Sequence, residues 1–355
     1  MNCEVLTLTQ AKKDKIAPIS IFFMLYISRI VVSLTNIQSV TTGKMSTDVL
    51  ISVILSMGLT LLLSIPALYC YKNNKNPFKI KWVAYFYGLY FVFLAGINIS
   101  RFAYFASTTL NPDVDAWIFC ALIAACGFYG AFLGIEGIGR FSAFAFSLLI
   151  LAVTVVVGFS LKSYEEINFY PVIVNDTSSI LKNVLYMTSN SFEMIVLVCL
   201  FDKINGNAVK MYAWSVIGAF FTLFLLVLMV IGVMGDGAAL QTFPLFALFQ
   251  LAKSGIFERL DILHISFWIM GVFVKSVTLI YCTGLCFKKG KNKIKCAAAA
   301  IASLVVSVIF SGNVQLGEMP LAIYLVPFFI FCVLIPILTL VFKKRNLGDE
   351  LIEKF

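Results

Sequence analysis

The sequence predicts an all-α polytopic membrane protein of about ten transmembrane helices, arranged as two inverted sets of five. Three observations predict it. The 355 residues are 61% hydrophobic and only 13% charged, with a mean hydropathy of +0.96, more apolar surface than a soluble domain of this size can hide. Uncharged apolar runs of about 20 residues, enough to cross roughly 30 Å of hydrocarbon, recur along most of the chain. The basic residues also alternate from one connection to the next, as membrane topology demands.

The runs place spans at about 16–40, 47–71, 82–110, 116–134, 141–161, 182–202, 211–234, 263–287, 294–312 and 321–342. They are too long and too uniformly apolar for the short alternating strands of an outer-membrane barrel. The first run follows Lys12, Lys13 and Lys15, exceeds the length of a signal h-region and lacks a small-residue cleavage site, so no cleavable signal peptide is expected. Lys72, Lys75, Lys79 and Lys81 follow span two, Lys288, Lys289, Lys291, Lys293 and Lys295 follow span eight, and Lys343, Lys344 and Arg345 follow span ten. The odd-numbered connections hold only Lys44, Lys162, Lys182, Lys253 and Arg259. By the positive-inside rule both termini are expected in the cytoplasm. The net charge of +9 thus orients the chain, and nucleic acid is not an expected partner.

Between the spans no soluble domain fits. Two connections are long, 162–181 and 235–262, and within the second FPLFALFQLAKSGIFERLD is expected to form a short amphipathic helix on the outer surface. Five spans in each half, roughly 16–161 and 182–342, force the halves to run inverted, an architecture used by many secondary transporters. The nine cysteines show no CxxC or Cys/His spacing and read as small apolar packing residues.

Four ionisable residues fall well inside spans: Arg29 in span one, Arg101 in span three, Glu193 in span six and Lys275 in span eight. Under the five-plus-five division, span one corresponds to six and three to eight, so all four sit on two corresponding helix pairs. Such residues normally face a bundle interior or water and have a partner. Three cations against one carboxylate leave an excess of positive charge, which a ligand carboxylate would offset. The plainer alternatives are that Arg101 snorkels to the interface and that Lys275 is an interhelical strut to Glu193.

Beside Glu193, Thr188-Ser189-Asn190-Ser191 covers every face of a helix. Either span six loosens there and exposes backbone to a ligand, or the hydroxyls bond back to carbonyls one turn earlier. Ser28 beside Arg29 is a weaker version in span one. The single histidine, His264, has no second metal ligand nearby, no nucleophile–base pair stands out, and the glycines of Gly134-Ile135-Glu136-Gly137-Ile138-Gly139-Arg140 are expected in a short turn rather than a strand–helix unit. An enzyme is therefore not expected, and no cofactor or metal is implied. Trp82 and Trp117, near span ends, are expected at the lipid interface.

The run from Phe243 to Cys282 resembles the corresponding segment of the spore germination permeases, the B subunits of nutrient germinant receptors. The similarity is carried by Pro244, Phe257-Glu258-Arg259-Leu260-Asp261, Trp268, Gly271 and Lys275, by Gly134-Ile135-Glu136 with Arg140, and by Arg101 and Glu193. It implies the amino acid–polyamine–organocation superfamily and a LeuT-like inverted-repeat core. It further implies an amino-acid-type site between spans one, three, six and eight, which here takes in Ser28, Arg29, Arg101, Ser189, Asn190, Ser191, Glu193, Trp268 and Lys275. Lys275 would lie where sodium-coupled relatives hold an ion, its ammonium replacing the cation. Two positions depart from the family pattern: no glycine precedes Gly43 in span one, and Ser189-Asn190-Ser191-Phe192 replaces the usual Pro and Gly before the glutamate.

The function implied is a spore inner-membrane subunit that binds a small, amino-acid-like nutrient and signals to other receptor subunits. The alternative is an amino acid–proton symporter of the plasma membrane. Glu258, Arg259 and Asp261 read equally as a solvated helix cap or as an outer gate or subunit contact.

Overall fold

The computed structural model describes residues 15–40, 47–173, 175–252, 260–287, 291–311 and 320–341. Among them the regular structure is helical, apart from one isolated parallel bridge between Ile16 and Ile204. Eight helices are, by length and composition, long and apolar enough to cross a membrane. The first span and a broken sixth span complete the ten predicted segments. The chain is a multi-pass membrane protein.

The first span is α1 (Pro18–Val40), 23 residues opened by a proline whose missing N–H costs a helix start nothing. It is unbroken, so Ser28 and Arg29 sit within a continuous helix. Spans two to four are α2 (Asp48–Lys72), α3 (Lys81–Phe105) and α4 (Ala116–Leu133), α3 ending in a π turn over Ala106–Leu110.

Span five, α5 (Ile135–Ser160), starts six residues before its expected boundary of 141. Gly134 alone joins α4 to α5, at φ 91° and ψ 176°, a conformation essentially reserved for glycine. The segment from Ile135 to Arg140, expected as a turn, instead forms the first turns of α5, and Glu136 pairs with Arg140 one turn on, at 2.5 Å on the surface.

Span six divides into α6 (Thr177–Ser189) and α7 (Glu193–Cys199). Asp176 caps α6 by accepting from the Ser179 N–H and hydroxyl, bonds that hold its carboxyl below the usual range. Spans seven to nine are α8 (Val209–Met234), α10 (Asp261–Cys286) and α11 (Asn292–Ser311). Between α8 and α10 lies α9 (Pro244–Leu251), buried from Pro244 to Phe249. That corrects the expectation of a helix lying on the surface: its phenylalanines point at Phe105 and His264 rather than at an interface.

Span ten starts as α12 (Ala322–Phe328) and relaxes into a π turn over Phe329–Leu334 just after Pro327. Proline removes a helical donor there and leaves backbone to be satisfied otherwise. Within the π turn the Tyr87 hydroxyl donates to the Phe331 carbonyl at 2.7 Å, and Tyr90 stacks on the Phe331 ring.

The described part of the connection after α2 meets the end of span ten and the strip after α7 at one end of the bundle. Lys75 reaches the Leu340 carbonyl, Tyr71 that of Gly206, and the Ile16–Ile204 bridge ties the start of α1 to the strip after α7. At this basic end opens a polar cavity of about 570 Å³, bordered by Lys15, Tyr71, Lys72, Asp202 and Asn207. Trp82 and Trp117 are both exposed, which leaves them available to lipid.

Candidate functional site

The break in span six organises the interior. Backbone at Asn190 and Phe192 has ψ of 4° and 2°, outside the helical region. The N–H of Ser191 falls back to the Thr188 carbonyl at 2.9 Å and that of Ile195 to Phe192 at 3.0 Å. The Ser191 hydroxyl takes over the Met187 carbonyl that its own N–H has left, while the Ser189 hydroxyl and Asn190 amide add to the Tyr186 carbonyl, which keeps the Asn190 N–H at 3.3 Å. Both readings of the polar run therefore hold together, since the back-bonding is what replaces the helical ladder. Irregular backbone at membrane depth survives only inside protein, and Ser189, Ser191 and Phe192 are all buried.

Glu193 opens α7 with 0% exposure and is met by α1. Arg29, 4% exposed, donates to its carboxylate at 2.7 Å and to the Ser191 hydroxyl at 2.5 Å. The Ser28 hydroxyl donates to the other carboxylate oxygen at 3.3 Å, and Thr60 of α2 reaches Ser191 at 3.4 Å. A charge-assisted bond of this kind, with neighbouring hydroxyls, is what makes a buried carboxylate tolerable.

Lys275 approaches the same place from α10 but, among the described residues, forms no ion pair. Its ammonium, 2% exposed, donates to the Ser28 carbonyl at 3.1 Å and lies 4.4 Å from the centre of the Phe192 ring. The strut to Glu193 is thus corrected: Arg29 occupies that carboxylate, and Lys275 fastens α10 to the backbone of α1. Asn98 of α3 donates to the Val272 carbonyl, one turn before Lys275, and to the hydroxyl of Ser276, the residue after it.

Arg101 forms a second centre. It does not snorkel; it is 5% exposed and donates to the hydroxyls of Tyr186 at 3.0 Å and Tyr324 at 2.7 Å, with its guanidinium 5.0 Å from the Tyr324 ring centre. Trp268 belongs to neither centre. Two turns before Lys275, about 10 Å along α10, it packs on Phe105 and Phe102 beside His264. Glu258 and Arg259 lie outside the described residues, and Asp261 is the first residue of α10, favourable at a helix start.

Sequence reasoning passed over Thr60, Asn98, Tyr186 and Tyr324. Asn98, an amide in an apolar span one turn before Arg101, carried a usable signal. The tyrosines did not, since a tyrosine in an apolar run reads as an interface anchor.

His264 is buried and ringed by Phe105, Phe246, Phe249, Phe267 and Trp268, and among the described residues neither ring nitrogen has a hydrogen-bond partner. Burying an unsatisfied polar group costs about 1–3 kcal/mol. His264→Leu is therefore expected to raise the thermal unfolding midpoint in detergent. A lowered midpoint would mean that the imidazole has a polar partner in solution.

The fold resembles a solved structure titled as the substrate-bound outward-open state of a Na+-coupled sialic acid symporter, with a TM-score of 0.62 over 92% of this chain and 77% of that chain, at 12% identity. Sequence comparison finds spore germination protein YndE of Bacillus subtilis (strain 168), 24% identical over 218 residues. That match takes in 58% of this chain and 59% of the relative's length. The all-helical, transporter-like class expected from the sequence is the class found. The model of the spore permease family, described as spore germination protein, matches residues 15–315, and the chain belongs to that family.

Proposed function

We propose that this germination-related, permease-like membrane protein is the nutrient-binding membrane subunit of a germinant receptor. A small amino-acid-like molecule would bind between α1, α3, α6–α7 and α10 and shift a conformational equilibrium that other receptor subunits read. The observation that carries this reading is the helix break at 190–192, with Arg29, Glu193 and Lys275 converging on it from three helices. Broken helices at the meeting of inverted repeats are where transporters of this architecture hold ligands.

In this reading the halves, roughly 16–161 and 182–342, move against each other, both termini are cytoplasmic, and Lys275 replaces a coupling cation by tying α10 to α1. Ligand drives the change only as far as it prefers one state. The residues at the break are nearly inaccessible here, so this is a closed arrangement and binding requires opening.

The test is ligand-induced thermal stabilisation of the purified protein across amino acids, nucleosides and sugars. Stabilisation by particular compounds, lost in Lys275→Ala, is expected; a folded protein that none stabilises would sink the reading. A second reading, amino acid–proton symport, is favoured by the buried Arg29–Glu193–Lys275 grouping, because ionisable groups at midplane can carry protons. Counterflow of labelled amino acid in proteoliposomes decides between the two: a sensor binds without exchange.

A further inference from the structure

The protein buries two arginines at membrane depth and treats them differently. Arg29 has Glu193 at 2.7 Å, whereas among the described residues no carboxylate lies within 4 Å of Arg101. Arginine keeps its proton at any accessible pH, so the charge of Arg101 cannot be shed to relieve burial. Among the described residues its hydrogen bonds go to neutral phenols, both from one terminal nitrogen, and its buried Nε has no acceptor. Among the described residues, a guanidinium so placed lacks an anion.

The surroundings suit a planar, singly charged one. The edge that grips a carboxylate with two parallel bonds is Nε with its neighbouring terminal nitrogen, and since the phenols now hold that nitrogen, a carboxylate would take the place of one of them there. A phenol can turn its O–H to a carboxylate, which is a strong acceptor for it. Tyr186 lies one turn before the break in span six, and Tyr324 three residues before Pro327, the two places where the helices are interrupted. The Arg101 centre therefore joins three elements, α3, α6 and α12, two of which have irregular backbone to move.

Resting on the nutrient-binding reading, we propose that Arg101, with Tyr186 and Tyr324, is the carboxylate subsite of the ligand pocket. The Arg29–Glu193 pair is then internally neutral and does not bind the ligand's carboxylate. The ligand class is a small molecule with a free carboxylate, and sugars and nucleosides are excluded.

Matched ligands test this on the unaltered, full-length protein: each amino acid, its C-terminal amide and its amino alcohol, measured by thermal shift and calorimetry. Hydrogen bonds to a charged group predict that amide and alcohol bind between about tenfold and 150-fold more weakly than the acid. Tyr324→Phe, which removes one oxygen, is expected to weaken the acid about tenfold and leave the amide unchanged; Arg101→Gln should abolish the preference for the acid. Equal binding of acid and amide overturns the proposal, as does a folded Arg101→Gln protein that still prefers the acid. If a sugar or nucleoside binds instead, the nutrient-binding reading stands and the carboxylate subsite falls. If nothing in either panel binds, both fall.

Discussion

Glu193→Gln is expected to lower stability by about 3 kcal/mol, the cost of leaving one charge of a buried pair uncompensated. The substitution is nearly isosteric, so the loss reports charge rather than volume. Arg29 would retain Ser191 but face a neutral amide across the gap where Glu193 now stands at 2.7 Å. Arg29→Gln is expected to cost a similar amount. The double variant should lose less than the sum of the two by about 1–3 kcal/mol, because residues in one network do not act independently. Lys275→Met should cost less than either, since the ammonium leaves behind only a carbonyl and a ring face. Reversible unfolding in detergent gives all four values. Strict additivity of the arginine and glutamate variants, or a Lys275 loss exceeding that of Glu193, would show that the ion pair does not hold α7 to α1.

The spans were legible because each is a run of apolar residues long enough to meet a single requirement, crossing hydrocarbon. Intramembrane charges were legible for the opposite reason, each being an expensive exception within such a run. Their partners were not. Which cation takes Glu193 depends on the rotation of α1 against α7, and sequence spacing favours neither Arg29 nor Lys275. The Arg101 centre was hidden because its partners, Tyr186 and Tyr324, are 85 and 223 residues away and look like lipid anchors. The break in span six was half-visible: four polar residues announced trouble for the helix, but only the hydrogen bonds of Ser189, Asn190 and Ser191 show that back-bonding and unwinding occur together. At α9 amphipathicity misled, because an apolar face suits a neighbouring helix as well as a membrane surface.

Gly271→Ala is expected to destabilise the protein by about 1–3 kcal/mol, the usual cost of forcing an extra methyl into a packed contact. A Cβ at this position of α10 would overlap a methyl of Val31 on α1, while its next neighbours, Ile27 and the Val31 Cβ, stand at an ordinary 3.6 Å. Two effects oppose each other. Alanine improves on glycine in a helix interior by up to about 1 kcal/mol, so the net sign depends on whether Val31 can turn its methyl aside. A β-branched residue in a helix has one strongly preferred χ1 rotamer, so the relief has to come from the helices moving apart. That movement falls where it matters, because Gly271 and Val31 lie one turn from Lys275 and Ser28 respectively, and the 3.1 Å bond from the ammonium to the Ser28 carbonyl spans the same crossing. Removing the offending methyl supplies the control: Val31→Ala combined with Gly271→Ala should recover most of the stability lost by Gly271→Ala alone. Recovery would establish that close approach of α1 and α10 at this glycine holds the lysine in place. If Gly271→Ala were stabilising instead, Val31 would have space to yield, and the seating of Lys275 would depend on the network around Ser28 rather than on the crossing.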